Sequence, residues 1–246
     1  MRDIAKYEQE YLDIDFEFYQ QKYRKKKLLE ILQRFPHKSI VEIGVGDDPL
    51  FQYVDFEKYI FFEPGRRFFD IAIQKLGQNE EIKDKVTGIN APFGAVDKNG
   101  GAPDFLICSS LLHELEKPDD MLLAIHDSMD EKSVVHINVP NANSLHRILA
   151  RDMRMISDVH SLSRQNIKLQ QQTVFDLDSL ISLVESCGFE VIDQGSYFVK
   201  PFTHKQMQQM LDEKIISEET LDGFYKLTEQ LPVYGSEIFV NCRIKV

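Results

Sequence analysis

Val41-Glu42-Ile43-Gly44-Val45-Gly46 closes one apolar stretch of the chain, and Phe61-Phe62-Glu63 closes the next, with Glu63 nineteen positions beyond Gly44. An apolar run entering paired glycines reads as a buried strand meeting a tight strand–helix turn, and a second run ending in an acid reads as its neighbour. Glycine lets backbone approach a ligand without obstruction by Cβ, and a carboxylate at the second strand end can accept from two ribose hydroxyls. The spacing therefore fits a nucleoside-binding fold. The register Gly44-Val45-Gly46-Asp47-Asp48-Pro49 lacks the third glycine of the dinucleotide fingerprint, and its acids would repel a pyrophosphate.

Further apolar runs at 86–90, 104–109 and 133–139 join those at 39–44 and 59–63 as expected strands, with amphipathic helices at 68–76 and 118–129 between them. That alternation predicts an α/β, doubly wound, mainly parallel sheet with helices on both faces and ligands at the carboxyl ends of its strands. Ahead of it, residues 14–34 read as a helix with Arg24-Lys25-Lys26-Lys27 in its middle, ended by Phe35-Pro36. Beyond the fifth strand, 141–172 is a polar stretch, expected to be helical, that a minimal fold of this kind does not need. A helix over 176–187 stopped by Gly188, a strand over 189–199, one or two helices within 203–230 and a last strand over 236–246 complete the chain.

The turn Glu42-Ile43-Gly44-Val45-Gly46, the acid Glu63, the segment Leu106-Ile107-Cys108-Ser109-Ser110-Leu111-Leu112-His113-Glu114-Leu115-Glu116-Lys117-Pro118 and the ending Cys187-Gly188-Phe189 resemble the class I S-adenosylmethionine-dependent methyltransferases. The resemblance spans roughly residues 39–198. It implies a Rossmann-like, seven-stranded sheet whose last strand is antiparallel, and S-adenosylmethionine as cofactor. It places the cofactor against Glu42, Gly44, Val45 and Gly46, against Glu63 and Pro64 with the acid on the ribose, and against Asn90, Ala91 and Phe93 at the adenine. Ser109, Leu111 and Leu112 complete that set. S-adenosylmethionine carries a positive amino group and sulfonium and no phosphate, so Glu42, Asp47 and Asp48 suit it where they would not suit NAD. His113 would stand beside the methyl acceptor as an orienting group or base, although a helix-start histidine bonded to backbone accounts for it equally. Relatives acting on nucleobases carry Asn or Asp before Pro-Pro-aromatic where this chain has Ser109-Ser110-Leu111-Leu112, which disfavours a nucleobase. Asn138, Asn141 and Asn143 lack an evident acidic partner, so no catalytic metal is expected.

Composition bounds the partners. A net charge of −11, from 29 basic against 40 acidic residues, argues against broad binding to nucleic acid or anionic membranes. Cys108, Cys187 and Cys242 are far apart and form no C-x-x-C spacing, which fits a reducing cytoplasm. The start of the chain has no signal-peptide core, and no run reaches roughly 18 apolar residues, so a soluble, unexported protein is expected.

Within the acidic chain, the stretch from His146 to Gln172 is locally basic, with Arg147, Arg151, Arg154, Arg164 and Lys168 against Asp152 and Asp158. Arg154 and Arg164 are candidates to bind an anionic small acceptor, such as a phosphorylated or nucleotide-linked sugar, because guanidinium forks match phosphate and carboxylate. A solvated helix with internal ion pairs explains the same charges. Residues 158–166 resemble methyltransferases of bacterial surface-polysaccharide pathways, and His160 among them is a second candidate base and acceptor contact. His136, inside the fifth strand, reads as structural. The expected organisation is an N-terminal helical lid or cap at 1–38, including Tyr11, Phe16, Tyr19 and Tyr23, and a methyltransferase domain at 39–246. Insertions at 141–175 and 203–230 interrupt that domain. The N-terminal helix would serve as lid, packing element or homodimer contact. Two other readings compete: a non-catalytic metabolite-binding module, and an NAD-dependent reductase or epimerase, whose Tyr-x-x-x-Lys spacing occurs only at Tyr23 and Lys27, ahead of the fold.

Overall fold

The structure, a computed structural model, describes residues 3, 4, 6, 10, 14, 16–94, 96 and 101–245. Tyr11 of the expected lid and Val246 of the expected last strand lie outside the described residues. Seven strands form one sheet: β1 (Ser39–Ile43), β2 (Lys58–Phe62), β3 (Val86–Ile89), β4 (Phe105–Ser109), β5 (Val134–Pro140), β6 (Phe189–Tyr197) and β7 (Glu237–Ile244). Their order is β3-β2-β1-β4-β5-β7-β6, and β7 runs antiparallel to both β5 and β6 while the pairs from β3 through β5 are parallel. The reversed strand is thus inserted one place in from the edge.

Alternation along the central strands builds a core on each face. Phe105 and Ile107 of β4 join one cluster with Leu28, Ile31, Phe61 and Leu221, while Leu106 and Cys108 join a second with Leu122, Ile125, Leu180 and Val184. The first face is covered by α1 (Glu17–Leu32), α2 (Arg66–Gly77), α7 (His204–Asp212) and α8 (Glu218–Lys226). The second is covered by α3 (Pro118–Ser128) and α6 (Leu177–Ser186). Two-sided burial explains why these strands are near-continuous apolar runs. Local signals set the helix ends: Pro118 occupies the first turn of α3, where a missing N–H costs nothing, and Asp176 caps α6 by accepting from Ser179 N–H at 2.9 Å.

Helix α1 is built into the first face. Tyr23, fully buried, stacks on Phe198 with ring centroids 4.4 Å apart, and Arg24 donates to the buried Glu237 at 2.5 Å. Gln20 Nε2, Tyr197 Oη and Asn138 Nδ2 also donate to Glu237, at 2.9, 2.5 and 2.7 Å. Burial favours the neutral acid, yet the Arg24 charge and these donors hold Glu237 below the usual carboxylate range.

The segment after β5 is not one helix. It forms α4 (Leu145–Asp152) and α5 (Arg164–Lys168), and α4 ends where Arg154 turns left-handed at φ 60°. Arg147 ties the intervening loop down, donating from Nε to the Val159 carbonyl at 2.8 Å and from Nη2 to Ser161 at 2.6 Å. No described helix is long and apolar enough to cross a membrane.

Candidate active site

Strand β1 stops at Ile43, one residue earlier than its apolar pattern suggests, because Gly44 leaves the extended region at φ 77° and Gly46 follows at φ 56°. An L side chain is strained in both conformations, which explains glycine at both positions. Among the described residues, a Cβ at either would meet nothing within 4 Å. The open side of the turn faces a cavity of about 470 Å³ at the carboxyl ends of β1, β2 and β4, within the roughly 300–1,000 Å³ of small-molecule sites.

Glu63, 6 % exposed, follows β2 and lines this cavity. Its Oε2 accepts the Val45 N–H at 3.1 Å and its Oε1 the Gly65 N–H at 2.7 Å. A carboxylate has about four lone-pair positions, so both oxygens can still accept from ligand hydroxyls. Asn90 supports the corner from behind, its Nδ2 donating to the Glu63 carbonyl at 2.8 Å. Phe62 and Phe93 meet edge to face, 5.0 Å between centroids, and both line the cavity as an apolar wall.

The acids of the turn are not equivalent. Glu42 lines the cavity but is buried, and burial pushes its carboxyl up to about 8 against the opposing effect of the Tyr59 hydroxyl, which donates to it at 2.7 Å. Asp48 forms ion pairs with Lys25 and, at 2.8 Å, with Lys75, and Asp47 accepts from Gln21 Nε2 at 3.1 Å. The expectation that all three present negative charge to a cationic ligand is therefore corrected for Asp48, whose charge is matched by two lysines, and for Glu42, which burial keeps largely protonated near neutral pH.

Of the expected cofactor contacts, Glu42, Gly44, Val45, Gly46, Glu63, Pro64, Phe93, Ser109 and Leu111 line the cavity. Asn90 and Ala91 stand outside its lining, and Leu112 is fully buried in the second core. After β4 the chain tightens: Ser110 is left-handed at φ 54°, and a 3₁₀ turn over Leu112–Glu114 follows. That turn directs Glu114 into the cavity and leaves His113, 2 % exposed, out of its lining, with His113 Nε2 3.8 Å from Glu114 Oε1. His160 lies in the insertion, hydrogen-bonded to Asp158 and Asp176 at 3.2 Å each. Arg154 and Arg164 are exposed and line neither this cavity nor its neighbour. His136 Nδ1 donates to the Asn241 amide oxygen at 2.8 Å, and burial lowers its ring to about 4, so it is a neutral structural group.

The sequence reading held α1 to be a lid, a packing element or a dimer contact, but it named none of the residues that α1 brings to the cavity. Gln21, Arg24, Lys25 and Leu28 all line the cavity, at the i, i+3, i+4, i+7 spacing of one helix face. The spacing was readable, but three of the four are polar and look like a solvated stripe.

A glycine turn and a strand-end acid at the carboxyl edge of this sheet define the class I S-adenosylmethionine-dependent methyltransferase fold, whose cofactor is S-adenosylmethionine. A family model described as a methyltransferase domain matches residues 16–194, and the chain belongs to that family. No curated protein matches the chain. Solved structures with this fold include an S-adenosylmethionine-dependent methyltransferase from Mesorhizobium loti, with 11% identity, TM-score 0.59, and coverage of 89% of this chain and 96% of that one. The glycopeptide N-methyltransferase MtfA, complexed with S-adenosylmethionine, has 11% identity, TM-score 0.58, and coverage of 90% and 87%. The [4+2]-cyclase SpnF has 11% identity, TM-score 0.60, and coverage of 90% and 80%. At such identities the likeness establishes the fold, and the reaction must be argued from the site.

Proposed function

We propose that the protein transfers a methyl group from S-adenosylmethionine to a hydroxyl or amino group of a small acceptor bound at the carboxyl edge of the sheet. The observation that carries this reading is the pairing of the open-faced Gly44–Gly46 turn with the Glu63 carboxylate across one cavity. The residues present fit the cofactor. Glu63 would take the ribose hydroxyls, Phe62 and Phe93 the adenine, and the glycine turn with Glu42 the methionine portion. When bound, S-adenosylmethionine supplies an already activated methyl for in-line displacement.

The protein's remaining task is to align the acceptor and remove its proton, and alignment alone can supply much of the rate. Glu114 is the acid–base group on the cavity wall after β4, so it takes the base role in this reading, with His113 behind it as a positioning residue. Arg154 and Arg164, on which the expectation of an anionic acceptor rested, contribute to neither cavity, so the acceptor is read from the groups that do. Cys108, Cys187 and Cys242 are buried and unpaired, which supports a reducing, cytoplasmic setting.

Calorimetry with S-adenosylmethionine and S-adenosylhomocysteine, followed by a labelled-methyl transfer screen over small hydroxyl and amino compounds, tests the proposal. Binding of both ligands with methyl incorporation into an acceptor is expected. Failure of either ligand to bind would sink the cofactor assignment, and binding without transfer would favour a metabolite-binding module.

A further inference from the structure

Asp48, just past the glycine turn, is met by two cations from two helices. Lys25 of α1 and Lys75 of α2 both pair with it, Lys75 at 2.8 Å, and Tyr53 Oη and Gln52 Nε2 donate to it as well, at 3.0 and 3.2 Å. The two lysines are not equivalent. Lys25 lines the cofactor cavity, and Lys75 stands outside its lining. The Lys25 charge acts on Glu42, and Glu42 and Asp47 act on Lys25 in turn, which places the ammonium at the glycine-turn end of the cavity. Arg24 is the other cation among the described residues of that lining, and it is directed to the chain's own carboxylates: Nη2 meets Glu237 at 2.5 Å and Nη1 meets Glu17 at 3.5 Å.

From this arrangement we infer that Lys25 is the partner of the cofactor's carboxylate, and that Lys75 releases it for that role by holding Asp48 when Lys25 turns away. The assignment rests on the methyl-transfer reading above and deepens it, since the carboxylate belongs to the methionine portion of the same cofactor. A carboxylate entering a cavity lined by Asp47, Asp48 and Glu63 would be desolvated beside like charge unless a cation met it. A lysine ammonium carries its donors on a flexible stem, so it can exchange one carboxylate for another by rotating its own side chain. Asp48 keeps Lys75, Tyr53 and Gln52 through the exchange, so no uncompensated charge is left behind. Gln21, one helical turn before Lys25, donates to Asp47 at 3.1 Å, and this contact holds α1 on the turn while Lys25 moves. Lys75 is then a positioning residue, acting on the cofactor only through Asp48.

The test is calorimetric, on the full-length protein, with two probes: S-adenosylhomocysteine, and 5′-methylthioadenosine, which keeps the adenosine and the sulfur but lacks the amino-acid portion. Lys25→Met should weaken S-adenosylhomocysteine by about tenfold or more and leave 5′-methylthioadenosine within about twofold, so the second probe also reports that the variant is folded. Lys75→Met, outside the cavity lining, should weaken S-adenosylhomocysteine alone by about threefold or more, because Asp48 then retains Lys25. Adding Asp48→Asn to Lys75→Met should restore the affinity. Equal weakening of both probes by Lys25→Met overturns the assignment, as does no weakening of either. A Lys75→Met protein that binds S-adenosylhomocysteine normally, or one that Asp48→Asn does not rescue, overturns the exchange. Failure of both probes to bind the unaltered protein is a different result, and it counts against the methyltransferase reading.

Discussion

Val45 donates its backbone N–H to Glu63 Oε2 at 3.1 Å, so the glycine turn after β1 and the acid after β2 are joined directly at the wall of the cavity they line. The same carboxylate receives Gly65 N–H at 2.7 Å, which also orients the start of α2. Glu63 is therefore a strut between the two strand ends, and in the proposed reading it is also the ribose ligand.

Glu63→Ala should lower S-adenosylhomocysteine affinity by about 100-fold or more, since each hydrogen bond to a charged group contributes about 1.5–3 kcal/mol. Stability should fall as well, by about 1–3 kcal/mol, because two buried N–H groups lose their acceptor. Calorimetry and denaturant unfolding measure the two effects separately, and an unchanged affinity would remove Glu63 from the site.

Gly46→Ala separates backbone from ligand effects. A Cβ there meets no atom of the described residues within 4 Å, so the stability cost is that of a left-handed alanine, about 1 kcal/mol. The methyl group points into ligand space, and cofactor affinity should drop by more than the stability change explains. A variant that loses about 1 kcal/mol of stability yet binds the cofactor normally would show that the ligand does not approach this turn.

Glu42 makes stability depend on pH in a defined direction. Its carboxyl is raised by burial to about 8 in the folded protein, above its unfolded value, so its contribution is fully present below about pH 4.5 and is lost as pH rises through 8. The Tm of Glu42→Gln relative to the native protein should therefore climb between pH 5 and 8, by an amount reflecting a few kcal/mol. A difference that is flat across this window would mean that Glu42 titrates normally.

Glu237 carries the opposite linkage. It is held low by Arg24 and by donors from Gln20, Tyr197 and Asn138, so its contribution is present above the unfolded carboxylate value and is lost as pH falls through the folded one. Glu237→Ala removes the buried carboxylate that Arg24 meets at 2.5 Å and should cost about 3–5 kcal/mol, with α1 loosened first. Hydrogen exchange over Glu17–Leu32 reads that loosening directly.

The acid–base groups after β4 and in the insertion give a kinetic contrast. Glu114→Gln should lower kcat by about 10²–10⁴-fold on a hydroxyl acceptor. His160→Ala should leave turnover near that of the native protein, because both ring nitrogens are engaged by Asp158 and Asp176 outside the cavity linings. The reverse pattern would return the base role to the insertion.

The fold was legible because its signals are local or periodic. Apolar runs ending in glycine or acid marked β1 and β2, Pro118 and Gly188 marked helix limits, and alternation implied a parallel sheet. The glycine turn and the acid that meets it were legible for the same reason: they lie within two consecutive strand ends. The position of β7 between β5 and β6 came from family resemblance in direction and from long-range pairing in place. Periodicity encodes neither.

What the sequence alone determined is the frame of the site: the glycine turn, the acid on the next strand, and an apolar sheet buried on both faces. Tertiary structure alone decided which charges face the ligand. Asp48 is matched by Lys25 and Lys75, Glu42 is buried and bonded by Tyr59, Glu114 rather than its neighbour His113 enters the cavity, and Arg154 and Arg164 of the insertion stay on the surface. Spacing along a strand specifies which face a residue takes. The sign of the field in a cleft depends instead on partners tens of residues away, and on one-position rotations in short turns that no period describes.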